Sequence, residues 1–275
     1  MNMLVRIVVS LVLAPLFLAV LLFAPVGIVT LMVTGIVTIA AYELLRAVGA
    51  QKHPLACAAT LAAAALIPSR CFWAQMDGWA IRLILLGLLC ALFLAAVFSY
   101  GKEHAFRAEH VLFGLFGGVL YPMLMSSLVQ LRMMEKGQFL VMLPIVSAFL
   151  TDTGAYFVGM FFGKHRGIVP VSPKKSAEGF VGGFVAGVLF MLAYGLVMTH
   201  GFGLEANLPR LALYGFVGSF VTMLGDLSFS LIKRQFGIKD YGTLIPGHGG
   251  MLDRFDSMSF AAPTMWLLVT LFPAF

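Results

Sequence analysis

The stretch K233-R-Q-F-G-I-K-D-Y-G-T-L-I-P-G-H-G-G-M-L-D-R-F-D256 gathers acids, cations and glycines into one short connection. Asp253 and Asp256 are three apart and share a face if the following helix reaches back this far. With Asp226 upstream, such carboxylates suit Mg2+, a hard cation that takes oxygen ligands. Lys233, Arg234, Lys239 and Arg254 are cationic, phosphate-seeking donors. Gly247, Gly249 and Gly250 let backbone N–H groups approach phosphate oxygens. His248 among them could donate to a phosphate or move a proton. A solvated turn explains any one of these residues, but not the recurrence of all three types together. The chemistry implied is phosphoryl or nucleotidyl transfer, in which metal and cations neutralise a polyphosphate and its leaving group. The chain has no G-x-x-x-x-G-K-[ST] loop and no H-E-x-x-H helix, so neither a Walker-type nor a zincin-type site is expected.

Two acids interrupt apolar runs: Asp152 in V146-S-A-F-L-T-D-T-G-A-Y-F-V-G159 and Asp226 in V221-T-M-L-G-D-L-S-F-S230. A carboxylate in a spanning helix is costly and marks a cavity or a partner. The plain alternative is a neutral Asp bonded to a neighbouring helix. At about 1.5 Å per residue, Asp226 lies roughly 10 Å from Lys233 and Asp152 roughly 17 Å from Lys164 along their helices. Both are therefore expected in one recess below the charged loops. In the loop G163-K-H-R-G-I-V-P-V-S-P-K-K-S-A177, Ser172-Pro173 reads as an N-cap with Pro at the first helical position. Lys174 and Lys175 then fall in the first turn, where cations oppose the helix dipole unless an anion docks there. Ordinary topology-setting charge is the alternative. Gly179, Gly183 and Gly187 repeat at i, i+4, i+8 as a face for close helix packing.

The elements that must position these residues are set by composition. The 275 residues are 61% hydrophobic and 11% charged, against about 25% charged in soluble domains, and the mean hydropathy is +0.99. The chain reads as an all-α, polytopic membrane bundle. Nine spans are predicted at 4–24, 26–48, 54–72, 80–100, 108–130, 138–162, 178–200, 208–232 and 257–275, since about 20 apolar residues cross a bilayer. The Ala-rich 54–72 segment is the marginal one. The first run has signal-peptide character, but further spans follow directly, so an uncleaved helix is expected. Of the 18 Lys and Arg, 13 fall on the side of the N-terminus and the even-numbered loops; by the positive-inside rule that side is cytoplasmic. Residues 1–137 read as a transmembrane scaffold and 138–275 as the catalytic region of one continuous membrane domain. Three scattered cysteines carry no disulfide or metal-site pattern.

The 230–256 stretch resembles the signature of the phosphatidate cytidylyltransferases (CDP-diacylglycerol synthases), and D152-T-G-A-Y and S172-P-K-K-S-A-E-G179 resemble two further segments of that family. The likeness covers roughly the C-terminal half; the first half is similar only in hydropathy. It implies that CTP and phosphatidic acid give CDP-diacylglycerol and pyrophosphate, with Mg2+ and a K+ ion sharing the site. By resemblance, Asp226, Asp253, Lys239 and His248 act in catalysis, and Asp226, Asp253 and Asp256 bind metal. Ser172, Lys174, Lys175, Glu178, Lys233, Arg234, Asp240, Gly249, Gly250 and Arg254 bind substrate. It further implies a homodimer in the bacterial inner membrane; with the charge split, a cytoplasm-facing site, a bilayer-facing groove for acyl chains and no nucleic-acid partner are expected. The chain departs from the family at Phe229, where Glu is frequent, and at Ala177, where Trp is common. The rival readings are a cation- or proton-coupled transporter using Asp152 and Asp226, a CTP-dependent lipid kinase, and a non-catalytic scaffold.

Overall fold

The computed structural model describes residues 3–70, 77–244, 247 and 249–275, and at 3–10 and 77 the backbone alone. His248 lies outside the described residues. All regular structure among the described residues is helical, as expected of a chain whose backbone polar groups must be satisfied in lipid.

Each predicted span falls largely on helix over its described residues. The first helices are α1 (Met3–Phe23), α2 (Val26–Ala47), α3 (Pro54–Ser69) and α4 (Asp77–Ser99). Next come α5, α6 and α7 (Ala108–Leu115, Tyr121–Met125, Ser127–Met133), with a π-helical turn at Phe116–Leu120, then α8 and α9 (Gly137–Leu140, Met142–Phe162). The last three are α10 (Ala177–Phe202), α11 (Leu208–Gln235) and α12 (Leu252–Leu271). Six helical stretches among the described residues are long and apolar enough to cross a membrane: Val26–Ala47, Gly78–Ser99, Ala108–Met133, Gly137–Phe162, Ala177–Phe202 and Leu208–Gln235. The 16-residue α3 is shorter, and its Ala56, Thr60, Ala63, Ala64 and Ile67 are buried; it is a packing element with small side chains.

The chain divides into two compact units: Met1–Met133 with Gln235–Phe255, and Met134–Arg234 with Asp256–Phe275. In the first, Leu45, Ala63, Ile67, Leu88, Leu92 and Val111 form a buried core. Arg132 closes the end of α1 by donating to the carbonyls of Leu21 (3.0 Å) and Ala24 (3.2 Å), which would otherwise lack helical partners.

In the second unit, α10 lies close against α9 because its facing positions are glycine. A methyl at Gly179 would stand 2.9 Å from the Ala155 carbonyl oxygen, at Gly183 3.1 Å from Ala155 Cβ, and at Gly187 2.7 Å from Thr151 Oγ1. The glycine face read from the sequence is thus the packing face. It also makes room for a buried hydrogen bond between Thr151 and Ser219 (3.0 Å), which ties α9 to α11. At the far end, Tyr214 OH donates to the Leu268 (3.1 Å) and Phe272 (2.6 Å) carbonyls, joining α11 to α12.

Candidate functional site: an acid-and-cation recess and the signature loop

A recess of about 510 Å³ opens in the second unit, lined by Asp152 and Tyr156 of α9, Met223 and Asp226 of α11, and Arg166, Lys174 and Lys175 of the preceding loop. Asp152 and Asp226, both expected to face one recess, do so. The Lys175 ammonium donates to Asp226 Oδ2 and lies 5.6 Å from the centre of the Phe180 ring. Asp152 Oδ2 accepts from Ser257 Oγ (3.3 Å). Asp256 is 8% exposed, and its Oδ1 accepts the Ser257 N–H (2.7 Å). Asp226 acts electrostatically on both Asp152 and Asp256, and Asp152 on Asp256. The site therefore gathers three acidic side chains among apolar helices. Lys175 offsets this at Asp226, and Lys233 offsets it at Asp256.

The loop that delivers the cations corrects the expected helix start. The helix does not begin at Ser172-Pro173: α10 begins at Ala177, and its N-cap is Ser176, whose Oγ accepts the Gly179 N–H (3.1 Å). Ser172 is instead used in turns, its N–H donating to the Val169 carbonyl (3.0 Å) and its own carbonyl accepting from Lys175 (3.0 Å). The loop then doubles back. Gly167 N–H donates to the Lys175 carbonyl (3.2 Å), Ala177 N–H to the His165 carbonyl (3.0 Å), and Arg166 stands across from Ser176 in a bridge. Lys174 and Lys175 thus precede the helix rather than occupy its first turn. Glu178, in that first turn, pairs with His165 Nδ1 (2.6 Å) and accepts the His165 N–H (3.2 Å), which pins the loop to α10. Arg166, read from the sequence only as a topology-setting cation, lines the recess. The bridge that brings it there is a pairing across the loop, with no local sequence signal.

The first two turns of α10 present two faces. Ser176, Gly179 and Phe180 line the recess. Ala177, Glu178, Val181, Gly182 and Val185 line an apolar groove of about 770 Å³ that runs along the helix.

The helix α12 reaches back to Leu252, so Asp253 sits in its first turn and Asp256 one turn on, as the spacing anticipates. Asp253 Oδ2 accepts the N–H groups of Tyr241 (2.8 Å) and Gly250 (3.0 Å), closing the signature loop on itself. Gly247 and Gly249 have φ of 78° and 85°, a region that glycine adopts without penalty. Lys233 and Arg234 occupy the last turn of α11, where cations complement the helix dipole. Arg234, Lys239, Asp240 and Arg254 are exposed and Lys233 is half-buried. Among the described residues no three His, Cys, Asp or Glu side chains stand close enough together to hold a metal ion as they are.

Fold and recess together define a helical membrane protein with an acid-and-cation pocket set into its apolar segments. The chain belongs to the cytidylyltransferase family, whose sequence profile it matches over residues 4–272. It is 34% identical over 212 residues to the phosphatidate cytidylyltransferase of Bacillus subtilis, covering 75% of each chain. It is 39% identical over 160 residues to the protein of that name from Mycobacterium bovis, covering 58% of this chain and 50% of the relative. Against that of Staphylococcus epidermidis it is 42% identical over 135 residues, 49% and 50% of the two chains. The chain thus spans about half the length of these last two relatives.

Proposed function

We propose that the chain is a Mg2+-dependent nucleotidyltransferase of the bacterial inner membrane that converts CTP and phosphatidic acid into CDP-diacylglycerol and pyrophosphate. The observation that carries this is the recess, in which Asp152 and Asp226 stand with Arg166, Lys174 and Lys175. Cations at the mouth suit polyphosphate, and carboxylates inside suit a hard metal ion. In the reaction, a phosphate oxygen of the lipid forms a bond to the α-phosphorus of CTP. The bond from that phosphorus to its bridging oxygen breaks, and pyrophosphate leaves with the electron pair. The nucleophile is already an anion, so the reaction needs no strong general base.

Lys174, Lys175 and Arg166 bind and orient phosphates at the recess, and Lys175 also holds Asp226 in place. Mg2+ fits the donor chemistry: the acids are all hard oxygen donors, and Asp226 already takes one cation, the Lys175 ammonium. Asp226 and Asp256 would hold the metal, which supplies charge neutralisation at the polyphosphate. For Asp253, and for a K+ ion in the site, the role rests on the resemblance alone. The groove along Val181 and Val185 takes acyl chains while the headgroup sits at the start of α10. A cytoplasm-facing site and a homodimer complete the proposal, from the charge asymmetry of the loops and from family likeness respectively.

Purified protein given phosphatidic acid, CTP and Mg2+ should release pyrophosphate and form CDP-diacylglycerol in equal amounts. Release of CDP with a phosphorylated lipid would reassign the protein as a kinase. No nucleotide-dependent product, beside a working control enzyme, would overturn the reading.

A further inference from the structure

The scaffold half of the chain holds one acid whose place no local pattern explains. Glu43 lies near the end of α2 and is 4% exposed. Its carboxylate accepts the N–H of Met251 on Oε1 (3.0 Å) and that of Leu252 on Oε2 (2.8 Å). These are N–H groups at the start of α12, which lack partners within the helix. A local cap is missing there: Gly249, Gly250 and Met251 precede the helix, and none has a side-chain acceptor of the kind that caps helices. The missing cap is supplied from α2.

Two glycines of the signature loop close around the same carboxylate. A methyl at Gly250 would stand 2.5 Å from Glu43 Oε1 and 2.6 Å from Cδ, and one at Gly242 2.7 Å from Cδ. Neither glycine has a positive φ, so both are small for lack of space rather than for backbone freedom. One turn along α2, Arg46 donates to the Tyr241 carbonyl (2.9 Å). Asp253 ties Tyr241 to Gly250 from the other side. The loop is therefore clasped at both ends: at Tyr241 by Arg46 and Asp253, and at Gly250 to Leu252 by Glu43 and Asp253.

We propose that Glu43 is a positioning residue: from α2 it fixes Gly242, Gly250 and the start of the helix bearing Asp253. Its consequence for turnover rests on the nucleotidyl-transfer reading; its consequence for loop order does not. A carboxylate is required because both its oxygens accept. Glu43→Gln keeps the volume but turns an NH2 group toward one of the two N–H donors, a donor against a donor.

The test uses the full chain in lipid nanodiscs, with amide hydrogen exchange and steady-state kinetics measured on the same preparations. Glu43→Gln should speed exchange in peptides spanning 250–254 by about tenfold or more while leaving α9 and α10 unchanged. It should also lower kcat by about tenfold or more, with the KM for CTP rising less, because a displaced loop costs transition-state more than ground-state contacts. Exchange that is unchanged, or that rises equally in every helix, overturns the proposal. Glu43→Gln activity equal to that of an active parent protein also overturns it. If the parent makes no nucleotide-linked lipid, the functional reading falls and the exchange arm still decides the positioning role. Should Glu43→Gln fail to fold, Gly242→Ala crowds the same carboxylate and should loosen the same 250–254 peptides. Undisturbed exchange there overturns the proposal.

Discussion

The contact between Lys175 and Asp226 can be weighed most directly. Lys175→Met keeps the length of the side chain and its packing over Phe180 but removes the ammonium. A hydrogen bond to a charged group contributes about 1.5–3 kcal/mol, and a cation–π contact about 0.5–1 kcal/mol. The two side chains are 30% and 26% exposed, so solvent screening brings the expected loss of stability to roughly 1–2 kcal/mol. The effect on chemistry should be larger. Without the ammonium, Asp226 faces Asp152 and Asp256 with one positive charge fewer, and the recess loses a donor proposed to hold phosphate. Removal of one preorganised donor costs about 100- to 1000-fold in turnover. A double-mutant cycle separates the two effects. Lys175→Met, Asp226→Asn and the double variant should be compared by unfolding in detergent and by CDP-diacylglycerol formation. The double variant should recover about 1–2 kcal/mol of the summed single losses, since the second change no longer strands a charge. Additivity within about 0.5 kcal/mol, or a Lys175→Met enzyme with near-parental turnover, would refute the pairing and its role.

Asp226→Asn should lower turnover by at least about 100-fold, as it removes charge from the proposed metal site; parental activity across a Mg2+ titration would sink its ligand role. Ser176→Ala deletes the N-cap of α10 and should cost about 1 kcal/mol of stability, readable in thermal unfolding with the fold otherwise intact. Val185→Trp fills the apolar groove and should raise the KM for phosphatidic acid while leaving that for CTP unchanged; equal effects on both would detach the groove from lipid binding.

The helices were legible because their signal is local. Apolar runs of spanning length and the spacing of Gly179, Gly183 and Gly187 need no knowledge of distant partners. The recess was legible for a related reason: Asp152 and Asp226 are conspicuous because the surrounding segments are apolar. Misplacing the start of α10 has a different origin. Ser172-Pro173 and Ser176 are both credible caps by local chemistry. The choice is made by His165, Arg166 and Gly167 across the loop, whose pairing leaves Ser172 in a turn and Ser176 at the helix end.

Glu43 marks the limit of local reading. Its partners lie 208 and 209 positions away in the chain, so in sequence it is only one acid near the end of an apolar helix. The structure also divides the glycines of the signature loop by cause. Gly249 is required by its backbone conformation, and a side chain there would be strained whatever its surroundings. Gly250 has an ordinary backbone, its N–H is committed to Asp253, and the space a side chain would need is filled by the Glu43 carboxylate. A Gly-Gly pair that reads from the sequence as one phosphate cradle is therefore two requirements. Only the second of them depends on α2, whose Glu43 reaches the signature loop at Met251 and Leu252.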